Sequence, residues 1–203
     1  FRGEVALVTG ASAGIGGAIA RMLAERGMRL AVCARRLERL EQVAAEVPGA
    51  EWLCRATELR DEASILQLFG AVRERWGGVD VLVNNAGLGH DSPLMSGSTD
   101  HWRETLEVNV LALSVCTREA VADMRRRGDD GHVVHVSSMA AHRVPPGSGM
   151  YSASKYAVRA LTEALRQELR AAGSQIRVGA VSPGFVETEF AARYSKSDEA
   201  ARE

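Results

Sequence analysis

The stretch EVALVTGASAGIGGAIA, residues 4–20, decides the fold because it joins a buried strand to a helix through a run of glycines. Residues 4–10 are almost continuously apolar, which is typical of a strand covered on both faces of a parallel sheet. A helical pattern follows from about Gly14 to Arg26. Gly10 and Gly14 permit a tight turn, and Gly16 lets the helix pack closely on the sheet. The stretch predicts the first βα unit of an α/β fold.

The same alternation of strand and helix continues along the chain. Further strands are predicted at 28–34, 50–54, 79–87, 131–138 and 175–184, with helices at 37–47, 61–77, 99–127 and 151–173. Repeated βα units predict a Rossmann-type doubly wound parallel sheet, in a three-layer αβα sandwich. The 203 residues contain no linker, repeat or low-complexity tract, so we expect one nucleotide-binding domain over residues 1–203 with the active site built into it.

Composition and charge exclude several functional classes. The sequence is 46% hydrophobic and 25% charged, with a net charge of −1, which gives no electrostatic basis for binding nucleic acid or an anionic membrane. No apolar run approaches the ~20 residues that span a bilayer, and the sequence opens on a strand instead of a signal peptide. Cys33, Cys54 and Cys116 are widely spaced and are interpreted as small core residues in a reducing compartment. We expect a cytoplasmic protein.

The glycine run lies where a doubly wound sheet binds its ligands, at the carboxyl end of a strand. Bare backbone N–H groups at the start of a helix can bind a pyrophosphate, and Ser12 adds a hydroxyl group. The pattern favours nucleotide binding, and the alternative is a glycine-rich turn without a ligand.

The end of the second strand indicates which nucleotide is bound. Dinucleotide folds usually place an acidic residue here to bind the 2′-hydroxyl of the adenosine ribose, but this sequence has Ala34 followed by Arg35 and Arg36. Guanidinium groups bind a 2′-phosphate that a carboxylate would repel, so the sequence favours NADP over NAD. Alternatively, both arginines are solvated residues at a helix start.

The residues at the ends of the third and fourth strands indicate an adenine site and a pair of side-chain amides. Glu58 and Leu59, after the third strand, are placed to border the adenine. Asn84 and Asn85 lead into Ala86 and Gly87 at the end of the fourth strand, which suggests a fixed backbone and a close approach to the cofactor. The asparagines could instead serve only to tie neighbouring strands together.

The fifth strand leads to an acid/base pair. Residues 139–150 form a loop that can fold back, so that Ser138 meets Tyr151, and Tyr151 and Lys155 share one helix face. The alternative is an exposed amphipathic pair. Residues 182–188, after the sixth strand, form a turn that could cover the nicotinamide. The residues that flank this site suggest a mostly apolar pocket suited to a lipophilic carbonyl or alcohol. They are His90, Met139, His142, Met150, Phe185 and Phe190.

Taken together, these motifs resemble the short-chain dehydrogenase/reductase family, in its simple single-domain form. The resemblance rests on TGASAGIG (9–16), NNAG (84–87), Asn109 within LEVNVLA (106–112), Ser138, YSASK (151–155) and SPGFVET (182–188). The stretch SGSTDHWRETLEVNVLALSVCTREA (96–120) further resembles the subgroup of keto-steroid reductases, farnesol dehydrogenases and insect alcohol dehydrogenases.

The resemblance implies a carbonyl or alcohol oxidoreductase with Tyr151 as the general acid/base. Ser138 would orient the substrate oxygen, while Lys155 and the positive nicotinamide ring would lower the pKa of Tyr151. Asn109 would anchor a water that relays protons to Lys155, unless it only marks a helix kink or a surface amide. NADP(H) would be bound by Gly10, Ser12, Gly14, Ile15, Gly16, Arg35, Arg36, Glu58, Leu59, Asn85, Ala86, Gly87, Tyr151, Lys155, Pro183, Gly184, Val186 and Thr188.

The resemblance also bears on partners and on the end of the chain. It implies a homodimer or homotetramer with a small-molecule substrate, and a further helix and seventh strand beyond AARYSKSDEAARE (191–203), so that part of the substrate lid is missing. His132 and His135 face opposite sides of a strand with no carboxylate cluster nearby, so no metal site is predicted. Two other functions remain open: a catalytically idle NADPH sensor or scaffold, and an epimerase or dehydratase of nucleotide sugars, which would need a longer chain.

Overall fold

A six-stranded parallel sheet forms the centre of the molecule in the computed structural model, which describes residues 4–190. The strands lie in the order β3-β2-β1-β4-β5-β6, and every neighbouring pair is parallel. This order confirms the doubly wound Rossmann-type sheet, whose winding reverses between β1 and β4. The strands are β1 (Val5–Thr9), β2 (Arg29–Ala34), β3 (Trp52–Ala56), β4 (Val81–Asn84), β5 (His132–Val136) and β6 (Arg177–Val181).

Helices connect the strands and cover both faces of the sheet. They are α1 (Gly14–Glu25), α2 (Leu37–Ala45), α3 (Glu62–Trp76), α4 (Thr99–Leu106), α5 (Leu113–Arg126) and α6 (Gly149–Ala171). A π-helical segment, Glu107–Ala112, joins α4 to α5, and a short 3₁₀ turn, Met139–Ala141, follows β5. Among residues 4–190, no helix has the length and apolar character needed to cross a membrane.

Two separate apolar cores confirm the three-layer arrangement. Successive side chains of a strand point to opposite faces, so Leu7 enters one core and Val8 the other, and both are fully buried. The first core lies against α3, α5 and α6, and it includes Phe69 and Met124. The second lies against α1 and α2, and it includes Leu40. Because both faces of β1 are covered, its sequence is apolar at every position from Val5 to Val8.

Several predicted boundaries were wrong. The fourth strand ends at Asn84 instead of Gly87, because the Asn85 and Ala86 amides both donate to the Thr9 hydroxyl, at 3.1 and 3.0 Å, and leave the ladder. The third strand begins and ends two residues later than predicted. The predicted helix 99–127 is interrupted by the π-helical segment, and the loop 139–150 contains the 3₁₀ turn. The sequence 191–203, predicted to end within an incomplete element, lies outside the described residues.

Candidate active site

A cleft of about 1160 Å³ runs along the carboxyl ends of the strands. It receives residues from the loops after all six strands, as expected for a fold of this winding. Gly16 and Asn109 do not line it. The predicted residues that do are Gly10, Ser12, Gly14, Ile15, Arg35, Arg36, Glu58, Leu59, Asn85, Ala86, Gly87, Ser138, Tyr151, Lys155, Pro183, Gly184, Val186 and Thr188.

The glycine run between β1 and α1 forms a bare backbone wall of this cleft. Gly10 and Gly14 have φ of +66° and +56°, and a Cβ at Gly10 would lie 2.8 Å from the Cα of Ala86. A Cβ at Gly16 would collide with the Asn85 side chain and the Gly10 carbonyl, so Gly16 permits close packing without lining the cleft. Ala13 supplies no side-chain cap to α1, and the first turn contains no acidic residue. These unsatisfied N–H groups fit a pyrophosphate.

The segment after β4 fixes the floor of the cleft. The Asn85 side-chain amide donates to the carbonyl oxygens of Thr9 and Gly10, at 3.0 and 3.1 Å. These bonds tie the end of β1 to the loop after β4, which is the structural role that the sequence analysis left open, and a role of Asn85 in binding the cofactor stays a prediction. Gly87 lies between two predicted catalytic side chains, since a Cβ there would be 3.3 Å from both Asn109 Oδ1 and Lys155 Nζ.

Three predicted catalytic side chains meet at the other end of the cleft. Ser138 and Tyr151 are linked by a side-chain hydrogen bond, as the folding back of the 139–150 loop predicted. The ammonium group of Lys155 donates to the Val136 carbonyl at 3.1 Å, and it lies 5.7 Å from the centroid of the Tyr151 ring. The ring of Phe190 also packs against that of Tyr151, with 5.5 Å between the two ring centroids. The pair therefore faces the cleft and is not an exposed amphipathic pair.

Burial dominates the acid/base properties of this end. It raises the pKa of Tyr151, and the hydrogen bond with Ser138 offsets part of that effect. It lowers the pKa of Lys155 to about 8, because an ammonium group loses solvation in the interior. The sequence argument expected a lowered Tyr151 pKa, but the protein's own groups shift it upward. A lowering by the nicotinamide ring stays a prediction.

Asn109 holds the neighbouring backbone in place from the π-helical segment. It is 1% exposed, accepts from the Leu88 amide at 2.9 Å, and donates to the Leu88 carbonyl at 2.7 Å and to Ser154 Oγ at 2.9 Å. Ser154 in turn donates to the Tyr151 carbonyl at 2.6 Å. The wider π turn marks the interruption of the helix that the sequence analysis left open for this residue, and the water relay through Asn109 stays a prediction.

The adenosine end of the cleft is exposed and carries charge pairs. Glu189, from the segment after β6, lies 2.6 Å from Arg39 and 3.9 Å from Arg36. Glu58 accepts from the Arg60 amide at 3.0 Å, so its carboxylate is turned towards the protein's own backbone. Glu58 also lines the cleft, and its contact with adenine stays a prediction.

Other lining residues were only partly foreseen. Glu104 lines the cleft and contacts His90, with 2.8 Å between Oε2 and Nε2, and sequence spacing gives no signal for this pair. Of the flanking residues named from the sequence, His90, Met139, Phe185 and Phe190 line the cleft, whereas His142 and Met150 do not. Within the part of the chain that the structure describes, no group of three or more His, Cys, Asp or Glu residues could hold a metal ion.

Comparison with known sequences identifies relatives over nearly the whole chain. Residues 4–199 match the family described as short chain dehydrogenase. The dehydrogenase/reductase SDR family member 11 of Bos taurus is 50% identical, and the match covers 98% of this chain and 80% of that protein. The farnesol dehydrogenase of Aedes aegypti is 46% identical over 94% of this chain and 80% of its own length.

Solved structures with the same fold contain nicotinamide cofactors of both kinds. A short chain dehydrogenase/reductase from Burkholderia phymatum in complex with NAD superimposes with a TM-score of 0.92, at 34% identity, over 100% of this chain and 73% of that one. A metagenomic short-chain oxidoreductase in complex with NADP gives a TM-score of 0.85, at 36% identity, over 92% and 84%.

Proposed function

The chain belongs to the short-chain dehydrogenase/reductase family, and from this premise we propose that it is an NADP-dependent oxidoreductase acting on a lipophilic carbonyl or secondary alcohol. The observation that carries the proposal is the convergence of Ser138, Tyr151 and Lys155 at one end of a cleft whose other wall is the glycine run. That arrangement supports the proposal, because it brings the candidate acid/base residue Tyr151 into the same cleft as backbone groups that fit a pyrophosphate.

In the reducing direction, Tyr151 acts as the proton donor. Burial raises the pKa of its phenol, so the group is protonated at neutral pH and can give its proton to a carbonyl oxygen. Ser138, already hydrogen-bonded to Tyr151, orients the same oxygen. When bound, NADPH would supply the hydride to the carbonyl carbon. The product is an alcohol, with one proton from the protein and one hydride from the cofactor.

Lys155 and Asn109 support this step without touching the substrate. Lys155 is anchored by the Val136 carbonyl, and its position beside Gly87 fits contact with the ribose of the nicotinamide. Asn109 fixes the backbone at Leu88, next to Gly87, and we propose that it also holds the relay water. Together, Lys155, Asn109 and the relay water would connect the Tyr151 hydroxyl group to solvent, from which its proton would be replaced.

The cofactor proposal rests on the charge after β2. Arg35 and Arg36 line the cleft there, next to the start of α2, and Ala34 precedes them where an acidic residue would favour NAD. Guanidinium groups bind phosphate through paired, charge-assisted hydrogen bonds. The related NADP complex supports this assignment, and the related NAD complex makes it necessary to test it.

The substrate proposal rests on apolar side chains at the mouth of the cleft. Phe185 is 88% exposed, and Met139, Val186 and Phe190 line the cleft beside it. Exposed apolar groups around a concave site favour a lipophilic ligand. The farnesol dehydrogenase relative is consistent with that class. By the same family resemblance, we propose a homodimer or homotetramer, and the free cysteines favour a reducing compartment such as the cytoplasm.

The test follows NADPH oxidation with a panel of ketones, aldehydes and keto-steroids, comparing wild type with Tyr151→Phe. We expect the variant to lose activity by about 10²–10⁴-fold while still binding NADPH, because it lacks the hydroxyl group that carries the transferable proton. Tyr156→Phe is the matched control, since Tyr156 lies in the same helix, is 40% exposed and does not line the cleft. Tight NADPH binding without turnover of any carbonyl would refute the enzymatic proposal and favour the sensor or scaffold.

A further inference from the structure

Glu189 places a carboxylate where the proposed NADP site needs positive charge. Its two carboxylate oxygens lie 2.6 Å from Arg39 Nη1 and 3.9 Å from Arg36 Nη2. Arg36 and Glu189 both line the cleft. On the basis of the proposed function, we propose that Glu189 is a cofactor-specificity residue. Its carboxylate competes with the 2′-phosphate of NADP for the guanidinium group of Arg36.

The residue reaches this position through the segment after β6, residues 182–190. Thr188 packs against the glycine run, where a Cβ at Gly14 would lie 3.2 Å from its Cγ2. One residue further on, Glu189 contacts the arginines at the start of α2. The segment therefore crosses the pyrophosphate site and ends on the adenosine site. A 2′-phosphate on the adenosine ribose and Glu189 of the segment after β6 would therefore contact the same side chain, that of Arg36.

Charge and exposure decide which anion Arg36 binds. The Arg36 and Glu189 side chains are 43% and 47% exposed, so solvent screens their attraction and their association is weak. A phosphate monoester carries about −1.5 to −2 charges and accepts paired hydrogen bonds from one guanidinium, whereas the carboxylate carries a single charge and lies at 3.9 Å. The 2′-phosphate therefore displaces Glu189 from Arg36, while Arg39 retains the carboxylate at closer range.

This exchange lowers the measured affinity for NADPH. A ligand that binds only one of two arrangements has an apparent dissociation constant equal to its intrinsic one divided by the fraction of molecules in the binding arrangement. NAD(H) carries no 2′-phosphate and does not need Arg36, so Glu189 leaves its affinity unchanged. The residue thus reduces the preference for NADP that the arginines create, and it does so without contact to the reacting atoms.

The experiment measures the dissociation constants of NADPH and NADH for the full chain carrying Glu, Gln or Lys at position 189. We expect Glu189→Gln to bind NADPH about two- to five-fold more tightly, and Glu189→Lys more tightly still, with NADH unchanged in both. The gain from Glu189→Gln should shrink as ionic strength rises, because salt screens exposed charges. Glu187→Gln is the matched control, since Glu187 is an exposed carboxylate of the same segment that does not line the cleft.

Three results would overturn the inference. NADPH affinity that is equal for Glu, Gln and Lys at position 189 would show that no competition occurs. An equal gain for NADPH and NADH would indicate a general loosening of the segment. Weaker NADH binding by Glu189→Gln would show that the carboxylate binds the ribose hydroxyls instead. The proposed function fails by a different result, namely that wild type binds neither cofactor or that Tyr151→Phe retains full activity.

Discussion

The two ends of the cleft differ in how deeply their polar side chains are buried and in the interactions that hold them. At the catalytic end, Asn109 and Lys155 are 1% and 4% exposed, and their polar groups are bound to backbone carbonyls and amides at 2.7–3.1 Å. At the adenosine end, the side chains of Arg36, Arg39 and Glu189 are between 35% and 47% exposed, and Glu189 contacts them through a charge-assisted hydrogen bond from Arg39 and a longer ion pair with Arg36.

This difference separates what each end can control. Buried hydrogen-bonding groups are costly to disturb, because a lost partner leaves the other group without solvent or protein contact. Exposed ion pairs are weak and screened, so they exchange readily for a ligand of the same charge. We therefore expect changes at the catalytic end to affect stability and turnover, and changes at the adenosine end to affect only cofactor affinity.

The largest effect is expected from Asn109→Ala. The substitution removes a partner of the half-buried Leu88 amide and carbonyl and of the fully buried Ser154 hydroxyl, and a buried polar group without a partner costs about 1–3 kcal/mol. We expect the free energy of unfolding in urea to fall by about 3 kcal/mol. Gln167→Ala is the control, because Gln167 is an exposed amide bonded only to Glu163 among the hydrogen bonds described for it, and its loss should cost less than about 0.5 kcal/mol. A cost for Asn109→Ala no larger than that of the control would contradict the comparison.

The next effect concerns Lys155 and pH. Burial lowers its pKa from 10.5 to about 8, so the charged form is present below about pH 8 and is lost above it. The kcat/KM for NADPH, which reports the free enzyme, should fall tenfold per pH unit above about 8 because the ribose contact needs the ammonium. Between about pH 8 and 10.5 the unfolded chain binds a proton that the folded chain has released, so Lys155 makes stability rise with pH there. A decline only near pH 10.5 would mean that burial does not act on this group.

The smallest effect is expected at the exposed end, from Arg36→Gln. Loss of one charge-assisted contact should weaken NADPH binding about five- to ten-fold at low salt, with NADH binding unchanged. The difference between wild type and variant should narrow as salt is added, whereas the effects at the buried end should not. Arg21→Gln serves as the control, because Arg21 forms a comparable exposed pair with Glu46 and does not line the cleft. An effect of Arg36→Gln that persists unchanged at high salt would contradict the assignment.

Sequence reasoning reached the fold because the signals that define it are local. A continuous apolar run such as residues 5–8, short and followed directly by glycine, is typical of a strand covered on both faces, and the glycines after it permit the positive φ that Gly10 and Gly14 adopt. The meeting of Ser138 and Tyr151 was also predicted, because both flank one short loop. These features depend on neighbours within about a dozen residues.

The features that escaped prediction depend on contacts between distant parts of the chain. The contact between Arg39 and Glu189 joins residues 150 positions apart, and no pattern near either residue indicates it. The end of β4 was misplaced because the hydroxyl of Thr9, on another strand, captures the Asn85 amide. The π-helical segment around Asn109 adds one residue to each turn, and over only six residues this shift is too short to be read from the apolar pattern.

The buried position of Lys155 has a consequence for chemical labelling. Apart from Lys196, it is the only lysine in a sequence whose other basic residues are arginines and histidines. Its lowered pKa leaves a substantial part of the amine neutral and nucleophilic near pH 8, whereas guanidinium groups stay protonated. A small acylating reagent that enters the cleft would therefore meet Lys155, which is the one lysine among the cleft residues that the structure describes. Protection of that amine would report directly whether the cleft is filled.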